Sequence, residues 1–252
     1  MPRRARRKSA TGVYHIILRG INKQIIFEDS NDYRTFISVL AYYKGECYFK
    51  LYAYCLMNNH IHLLIGENED NIGDVMKKIE VTFVKWYNEK YQRVGNLFQE
   101  RYKSEPVETE EYLMTVFRYI HQNPLHAGLE KKVGEAYPWS SYREYEDGVA
   151  IVTDMQDMMG YFDSREELIE FVNRNVLEVC MEDYTPRALS DEESLQIIEQ
   201  LTGCGSPSDF QHMDLGQRNL FLQRLLLAGF STRQLSRLTG VSRQKLCSFR
   251  SQ

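Results

Sequence analysis

The apolar positions in the first half of the chain switch between two periods. From Gly12 to Arg19 they alternate, with Val13, His15 and Ile17 on one side and Tyr14, Ile16 and Leu18 on the other, as in a β-strand. Ser30 can cap a helix running to about Lys44, with Tyr33, Phe36, Ile37, Leu40 and Tyr43 on one stripe. Tyr48–Met57 alternates again and puts Phe49, Leu51, Ala53, Cys55 and Met57 on one face. Asn58-Asn59 is a turn signal, and His60–Ile65 is the return strand. Asn71–Lys90 predicts a long helix carrying Ile72, Val75, Met76, Ile79, Phe83, Trp86 and Tyr87 at helical spacing. Gly95-Asn96 breaks it, and Leu97–Ser104 reads as a strand ended by Pro106. Glu108, Glu110 and Glu111 open another helix, their charge suited to its N-terminus. It is expected to stop near His121, because Asn123-Pro124 disfavours continuation.

The first six elements are the split βαβ pattern of a ferredoxin-like sheet. The fold class expected is therefore α+β, a sheet with helices, followed by an all-α C-terminal region. Such a sheet serves many functions and proves none. From about Glu146 the pattern becomes helical and acidic, punctuated by Pro186 and by Thr202–Ser208 with Gly203, Gly205 and Pro207. Three short helices close the chain, about Leu215–Ala228, Thr232–Leu238 and Ser242–Phe249. The last two are joined by Thr239-Gly240-Val241, and Leu235, Val241, Leu246 and Phe249 fit the buried positions of a helix-turn-helix. Small Ser236 stands four before the turn glycine, where the helices cross closely. Arg243, Gln244 and Lys245 would then begin the recognition helix.

Composition adds a charge segregation. The 252 residues are 43% hydrophobic and 26% charged, as in soluble globular proteins. No apolar stretch approaches the ~20 residues that span a bilayer. A basic arm over residues 1–10 (Arg3, Arg4, Arg6, Arg7, Lys8) is not followed by an apolar signal core, so a cytoplasmic protein without a membrane partner is expected. The five cysteines (47, 55, 180, 204, 247) are scattered and odd in number, which argues for reduced thiols. Residues 1–145 carry 21 basic and 18 acidic side chains, residues 146–216 carry 3 and 17, and residues 217–252 carry 7 and 0. A solvated acidic middle between two basic ends suggests two modules that face nucleic acid.

Candidate chemistry concentrates in two runs. His60 and His62 flank Ile61 on a strand, so both point the same way with Cα atoms ~7 Å apart, and two adjacent imidazoles can hold a divalent metal. Tyr119 and Asn123 stand four apart on one face of a helix. A two-residue turn at Asn58-Asn59 would pair Met57 with His60 and Cys55 with His62, which leaves a His-His-Cys zinc site conceivable. Taken singly, each signal also fits ordinary packing.

Together with their neighbours these runs resemble the single-tyrosine HUH transposases, and within them the REP-associated tyrosine transposase group. The matching stretches, in the family's order, are Arg19-Gly20-Ile21-Asn22-Lys23 with Ile26-Phe27, Met57-Asn58-Asn59-His60-Ile61-His62, Leu97-Phe98-Gln99-Glu100-Arg101-Tyr102-Lys103-Ser104, Tyr119-Ile120-His121-Gln122-Asn123-Pro124, and Pro138-Trp139-Ser140-Ser141-Tyr142. They cover about residues 10–145; beyond that the likeness is looser. The resemblance implies that His60 and His62 are the metal-binding pair, Asn123 the third ligand and Tyr119 the nucleophile. It implies Mg²⁺ or Mn²⁺ and metal-dependent cutting and rejoining of single-stranded DNA, at hairpin or palindromic repeats, through a 5′-phosphotyrosine.

The division expected is a basic arm (1–10), an HUH domain (11–145), an acidic helical region (146–214) and a duplex-binding helix-turn-helix (215–252), in a monomer or homodimer. Arg19, Asn22, Arg101 and Lys103 are candidate DNA contacts beside the site, and Arg243, Gln244 and Lys245 in the tail. His121 and His126 are weaker candidates for proton transfer. Two rivals remain open, a DNA-binding regulator without cleavage and a replication initiator or relaxase.

Overall fold

The structure, a computed structural model, describes residues 6–174, 191–204, 206–227 and 230–249. The first five residues of the basic arm, Cys180, Pro186, Gly205 and the expected helix end at Ala228 lie outside them. The chain forms two compact units, Met1–Asn175 and Val176–Gln252.

In the first unit, β1 (Val13–Arg19), β2 (Lys50–Met57), β3 (His60–Gly66) and β4 (Lys103–Pro106) form one antiparallel sheet in the order β2-β3-β1-β4. This is the split βαβ order expected from the element sequence. Tyr14, Ile16, Leu18, Ile61, Leu63 and Ile65 point to one face, where α1 (Ser30–Cys47) and α2 (Ile72–Lys90) cover them with Phe36, Leu40, Val75, Ile79 and Phe83. Each such fully buried side chain contributes ~1.5–3 kcal/mol. The opposite face is covered by α3 (Glu110–His126), which packs over β2 and β3.

Four details depart from the pattern. Phe49 and Leu51 join the α1/α2 core rather than sharing a face with Ala53, Cys55 and Met57, because a register shift between Leu51 and Ala53 reverses the alternation. The cap of α1 is Asp29, not Ser30; Asp29 accepts from the Asn31 and Asp32 amides, and Asp32 answers with a capping box. The fourth strand begins at Lys103, not Leu97. Leu97 and Phe98 instead fold onto the end of β1, where the Ile21 amide donates to the Leu97 carbonyl (3.0 Å) and Gly20 bridges to Phe98.

Helix α3 also passes through Pro124 to His126. Its last turn is tied by the Ala127 amide on the Asn123 carbonyl (3.0 Å) and by the Leu129 amide on the Pro124 carbonyl (2.9 Å). Asn123 therefore stays helical, on the same face as Tyr119.

The free edge of β2 is covered by residues 138–141. The Leu56 amide donates to the Trp139 carbonyl (2.9 Å) and the Ser141 amide to the Tyr54 carbonyl (3.0 Å), while the Trp139 ring stacks on Tyr33 at 4.4 Å. The short helices α4 (Tyr142–Asp147), α5 (Met155–Met159) and α6 (Arg165–Asn173) complete the unit. Gln122 ties α3 to α6 through the Val172 carbonyl (2.7 Å).

The second unit contains α7 (Asp191–Thr202), α8 (Pro207–His212), α9 (Leu215–Leu227), α10 (Thr232–Thr239) and α11 (Arg243–Ser248). They share a core of Ile198, Phe210, Leu222, Leu225, Phe230, Leu235, Leu238, Val241 and Leu246, with Phe249 packed against it. Gly240 ends α10 with φ of 69° and donates its amide to the Ser236 carbonyl (3.1 Å). A Cβ there would also sit 2.0 Å from Gln211 Nε2. Among the described residues no helix is long and apolar enough to cross a membrane.

Candidate active site

The sheet face under α3 is where packing alone would place aliphatic side chains. It carries histidines instead. His62 stands opposite Ile17 on β1 and Cys55 on β2, and His60 opposite Arg19 and Met57. The hairpin register is the one the Asn58-Asn59 turn predicts. The His60 and His62 rings meet edge to face at 5.0 Å. Helix α3 lowers Tyr119 onto them, its ring centroid 5.6 Å from that of His62. One turn on, buried Asn123 donates its Nδ2 to the Tyr119 carbonyl (2.9 Å), which leaves Oδ1 as the acceptor atom of that amide.

A third imidazole belongs to the group and was not among the sequence candidates. His15 Nε2 lies 3.1 Å from His62 Nδ1, the two rings stack at 5.3 Å, and the His15 ring is 6.0 Å from Tyr119. Its signal in the sequence was the alternation itself. His15 shares a face with Ile17, and the sheet register puts Ile17 beside His62.

The motif that follows β1 positions the other end of the pair. Asn59 Nδ2 donates to the Lys23 carbonyl (3.3 Å), so its Oδ1 faces His60 and accepts from Nδ1–H at 2.6 Å. The loop delivers that carbonyl with Asn22 and Lys23 both left-handed, at φ of 51° and 62°. Gly20 donates its amide to the Asn59 carbonyl (2.9 Å), and a Cβ on Gly20 would fall 2.3 Å from the Gln24 carbonyl oxygen. The Arg19–Lys23 run is thus a clasp around the β2–β3 turn.

Burial keeps the inner rings uncharged. It pushes His15 down to about 3. His62 is held well below the ordinary histidine value by burial first, then by His60, His15 and Arg19. The Arg19 charge therefore reaches the pair.

These donors suit a hard or borderline divalent cation. Both Nδ1 atoms are engaged within the chain, so Nε2 is the ligand atom each ring would offer, and Asn123 Oδ1 would add a neutral oxygen. Among the described residues no three His, Cys, Asp or Glu side chains group to hold a metal. Cys55, opposite His62 as expected, is fully buried, with its Sγ 3.6 Å from Met57 Sδ. Its thiol is raised well above the ordinary value by burial first, then by Glu130.

The remaining candidates separate. Lys103 opens β4 opposite Ile17 and so shares the site face. Arg101 is not on a strand: it lies in the preceding bend and lines a cavity of about 840 Å³ with Arg6, Glu80 and Lys85. Asn22 is exposed in the clasp. His121 is buried among Phe117, Tyr142 and Tyr145, with Nε2 2.8 Å from Ser141 Oγ, where it ties α3 to the edge segment. His126 is exposed, its ring 6.1 Å from Tyr119. In the second unit Ser242 caps α11 through the Lys245 amide, with Arg243 and Gln244 exposed in its first turn and Lys245 half-buried.

Residues 8–123 match the IS200-like transposase family, a stretch that contains His60, His62, Tyr119 and Asn123. That stretch is similar to IS200-like transposases, and the likeness supports a transposase-like function. Among solved structures, the chain is similar to a REP-associated tyrosine transposase bound to a REP hairpin, at 17% identity and a TM-score of 0.50, covering 71% of this chain and 100% of that one. A candidate transposase from Deinococcus radiodurans R1 matches at 19% identity and a TM-score of 0.35, covering 47% of this chain and 95% of that one. The first of these shares the fold. No curated protein matches the chain.

Proposed function

We propose that the protein cuts and rejoins single-stranded DNA with Tyr119 as nucleophile, at sites beside a hairpin. The observation that carries this reading is the Tyr119 ring seated on the His60–His62 pair, 5.6 Å from His62, inside a stretch similar to IS200-like transposases. The phenol oxygen attacks the scissile phosphorus. A Tyr–O–P bond forms, the P–O3′ bond breaks, the phenol proton leaves, and the departing 3′ oxygen takes up a proton. The product is a 5′-phosphotyrosine with a free 3′-OH. Because the phosphodiester energy is retained, the 3′-OH of another strand can reverse the step.

A phenol near pKa ~10 is a weak nucleophile at neutral pH, so the phosphate must be activated. His60, His62 and Asn123 would hold Mg²⁺ or Mn²⁺ for that purpose, and imidazole ligands favour Mn²⁺ of the two. The chemistry a bound cation supplies there is polarisation of the phosphate and screening of its growing charge. Three neutral ligands leave the cation's full charge for that task. Arg19 and Lys103, on the same sheet face, add positive charge for flanking phosphates.

Hairpin recognition is supported by the structural neighbour, which is bound to a REP hairpin. In the second unit, α10 and α11 act as a helix-turn-helix, with Arg243, Gln244 and Lys245 meeting duplex DNA. The test is a hairpin oligonucleotide with single-stranded flanks, incubated with Mn²⁺ and run on a denaturing gel. A protein–DNA adduct linked to the 5′ end is expected. Cleavage that leaves two free ends and no adduct would overturn the reading.

A further inference from the structure

Resting on the cation site just described, we propose that His15 is a positioning residue: it accepts a hydrogen bond from His62 Nδ1–H and so turns an unprotonated His62 Nε2 toward the cation. The geometry is specific. The two nitrogens are 3.1 Å apart, and the rings stack with 28° between their planes. Their exposures are 0% and 1%, so water does not compete for the bond. His15 stands opposite Leu64 and Ile17 opposite His62, which makes His15 a diagonal neighbour of His62 across the sheet, within reach of a long side chain.

A neutral imidazole has one proton for two nitrogens, and the nitrogen that holds it cannot ligate. Asn59 settles this for His60, because its Nδ2 is committed to the Lys23 carbonyl and only its oxygen faces the ring. His15 does the same for His62 if its own proton sits on Nδ1. The reverse arrangement, with His15 donating, would leave His62 carrying its proton on Nε2. It would then present an N–H where a cation should bind. The two ligands are thus prepared by two different partners, an amide delivered by the loop after β1 and an imidazole delivered by β1 itself.

Two measurements on the full-length chain test this. Long-range proton–nitrogen NMR of histidine-labelled protein reads the tautomer of His62, identified by its loss in His62→Gln; the Nδ1–H form is expected. Mn²⁺ titration followed by electron paramagnetic resonance reads the site without requiring turnover. His15→Leu, which keeps the bulk and removes the acceptor, should weaken Mn²⁺ binding by ~10–100-fold. His15→Gln, whose amide oxygen reaches the same position, should restore it. An Nε2–H tautomer in the wild type overturns the proposal, as does folded His15→Leu that binds Mn²⁺ as tightly as wild type. Should His15→Leu not fold, the wild-type tautomer and His15→Gln decide. Wild-type protein that takes up no Mn²⁺, or takes it up equally in His60→Ala, would sink the cation site itself, a result distinct from losing only the role of His15.

Discussion

Tyr119 meets His62 edge to face, with 5.6 Å between ring centroids and 83° between planes. The tyrosine comes from α3 and the histidine from the sheet beneath it, so the contact exists only in the folded unit. Tyr119→Phe removes one oxygen and keeps the ring that packs there. The adduct with single-stranded hairpin DNA should vanish while hairpin affinity stays near wild type, and the melting temperature should shift little. Denaturing gels and a binding titration on the same preparation check this. An adduct formed by Tyr119→Phe would assign the nucleophile to another tyrosine.

Cation dependence follows from the donor set. His60→Ala, His62→Ala and Asn123→Ala should each slow cleavage, the histidines more than the amide. EDTA should stop the reaction, and Mn²⁺ or Mg²⁺ should restart it. Rates measured across a panel of cations separate the two ligand sets. Restoration by Zn²⁺ alone, with loss of activity in Cys55→Ser, would replace the His-His-Asn set by one that includes the thiol.

Asn59 supports His60 from outside the reaction. Asn59→Ala removes both the 2.6 Å bond to His60 Nδ1 and the 3.3 Å bond to the Lys23 carbonyl. Mn²⁺ affinity should fall by ~10–100-fold. Asn59→Asp keeps an acceptor for His60 but cannot donate to Lys23, so it should fall between the two. Electron paramagnetic resonance titration of the three proteins gives the ranking, and a wild-type affinity for Asn59→Ala would remove Asn59 from the site.

The hairpin that carries the two histidines was legible because its turn is two residues long, and that length sets the register of both strands. From it the placement of His60, His62 and Cys55 followed. His15 was not legible as a partner, since only the pairing of β1 with β3 brings it against His62, and no local pattern encodes that pairing. The fourth strand was misplaced because Leu97 and Phe98 are apolar for a different reason, their packing on the turn after β1. Pro124 suggested an end to α3. The helix continues because its last turn is bonded around the proline, with the Asn123 side chain adding a bond to the Tyr119 carbonyl.

Acid should destabilise the first unit through histidines buried neutral. His121 is held down to about 3 by burial, against an ordinary value of 6.5. Between those values the unfolded chain binds a proton that the native chain refuses, so stability falls as pH falls, by up to ~1.4 kcal/mol per pH unit for each such histidine. Above pH ~6.5 the slope from this source disappears. Urea unfolding from pH 4 to 8 should therefore show a steeper acid limb for wild type than for His121→Gln, which can still hydrogen-bond Ser141 but does not titrate. Parallel curves would mean that His121 is protonated in the native state.

The second unit should supply duplex affinity that strand cleavage does not require. The four residues proposed for cutting lie at or before Asn123, while the seven cations after residue 216 have no acid among them. Charge of that kind binds phosphates by releasing counterions. If about four of the seven meet the backbone, duplex binding should weaken with salt at a log–log slope near −4. Ending the chain at Asn175, the boundary of the first unit, should remove most of that slope and leave adduct formation on hairpins chemically possible. Arg243 is exposed at the start of α11, and Arg243→Ala should cost ~1–3 kcal/mol if it reads a base edge, and less if it touches only phosphate. Titrations of both chains with duplex and hairpin DNA at several salt concentrations separate these terms. Equal affinities and equal slopes would make the second unit a structural appendage rather than a DNA-binding one.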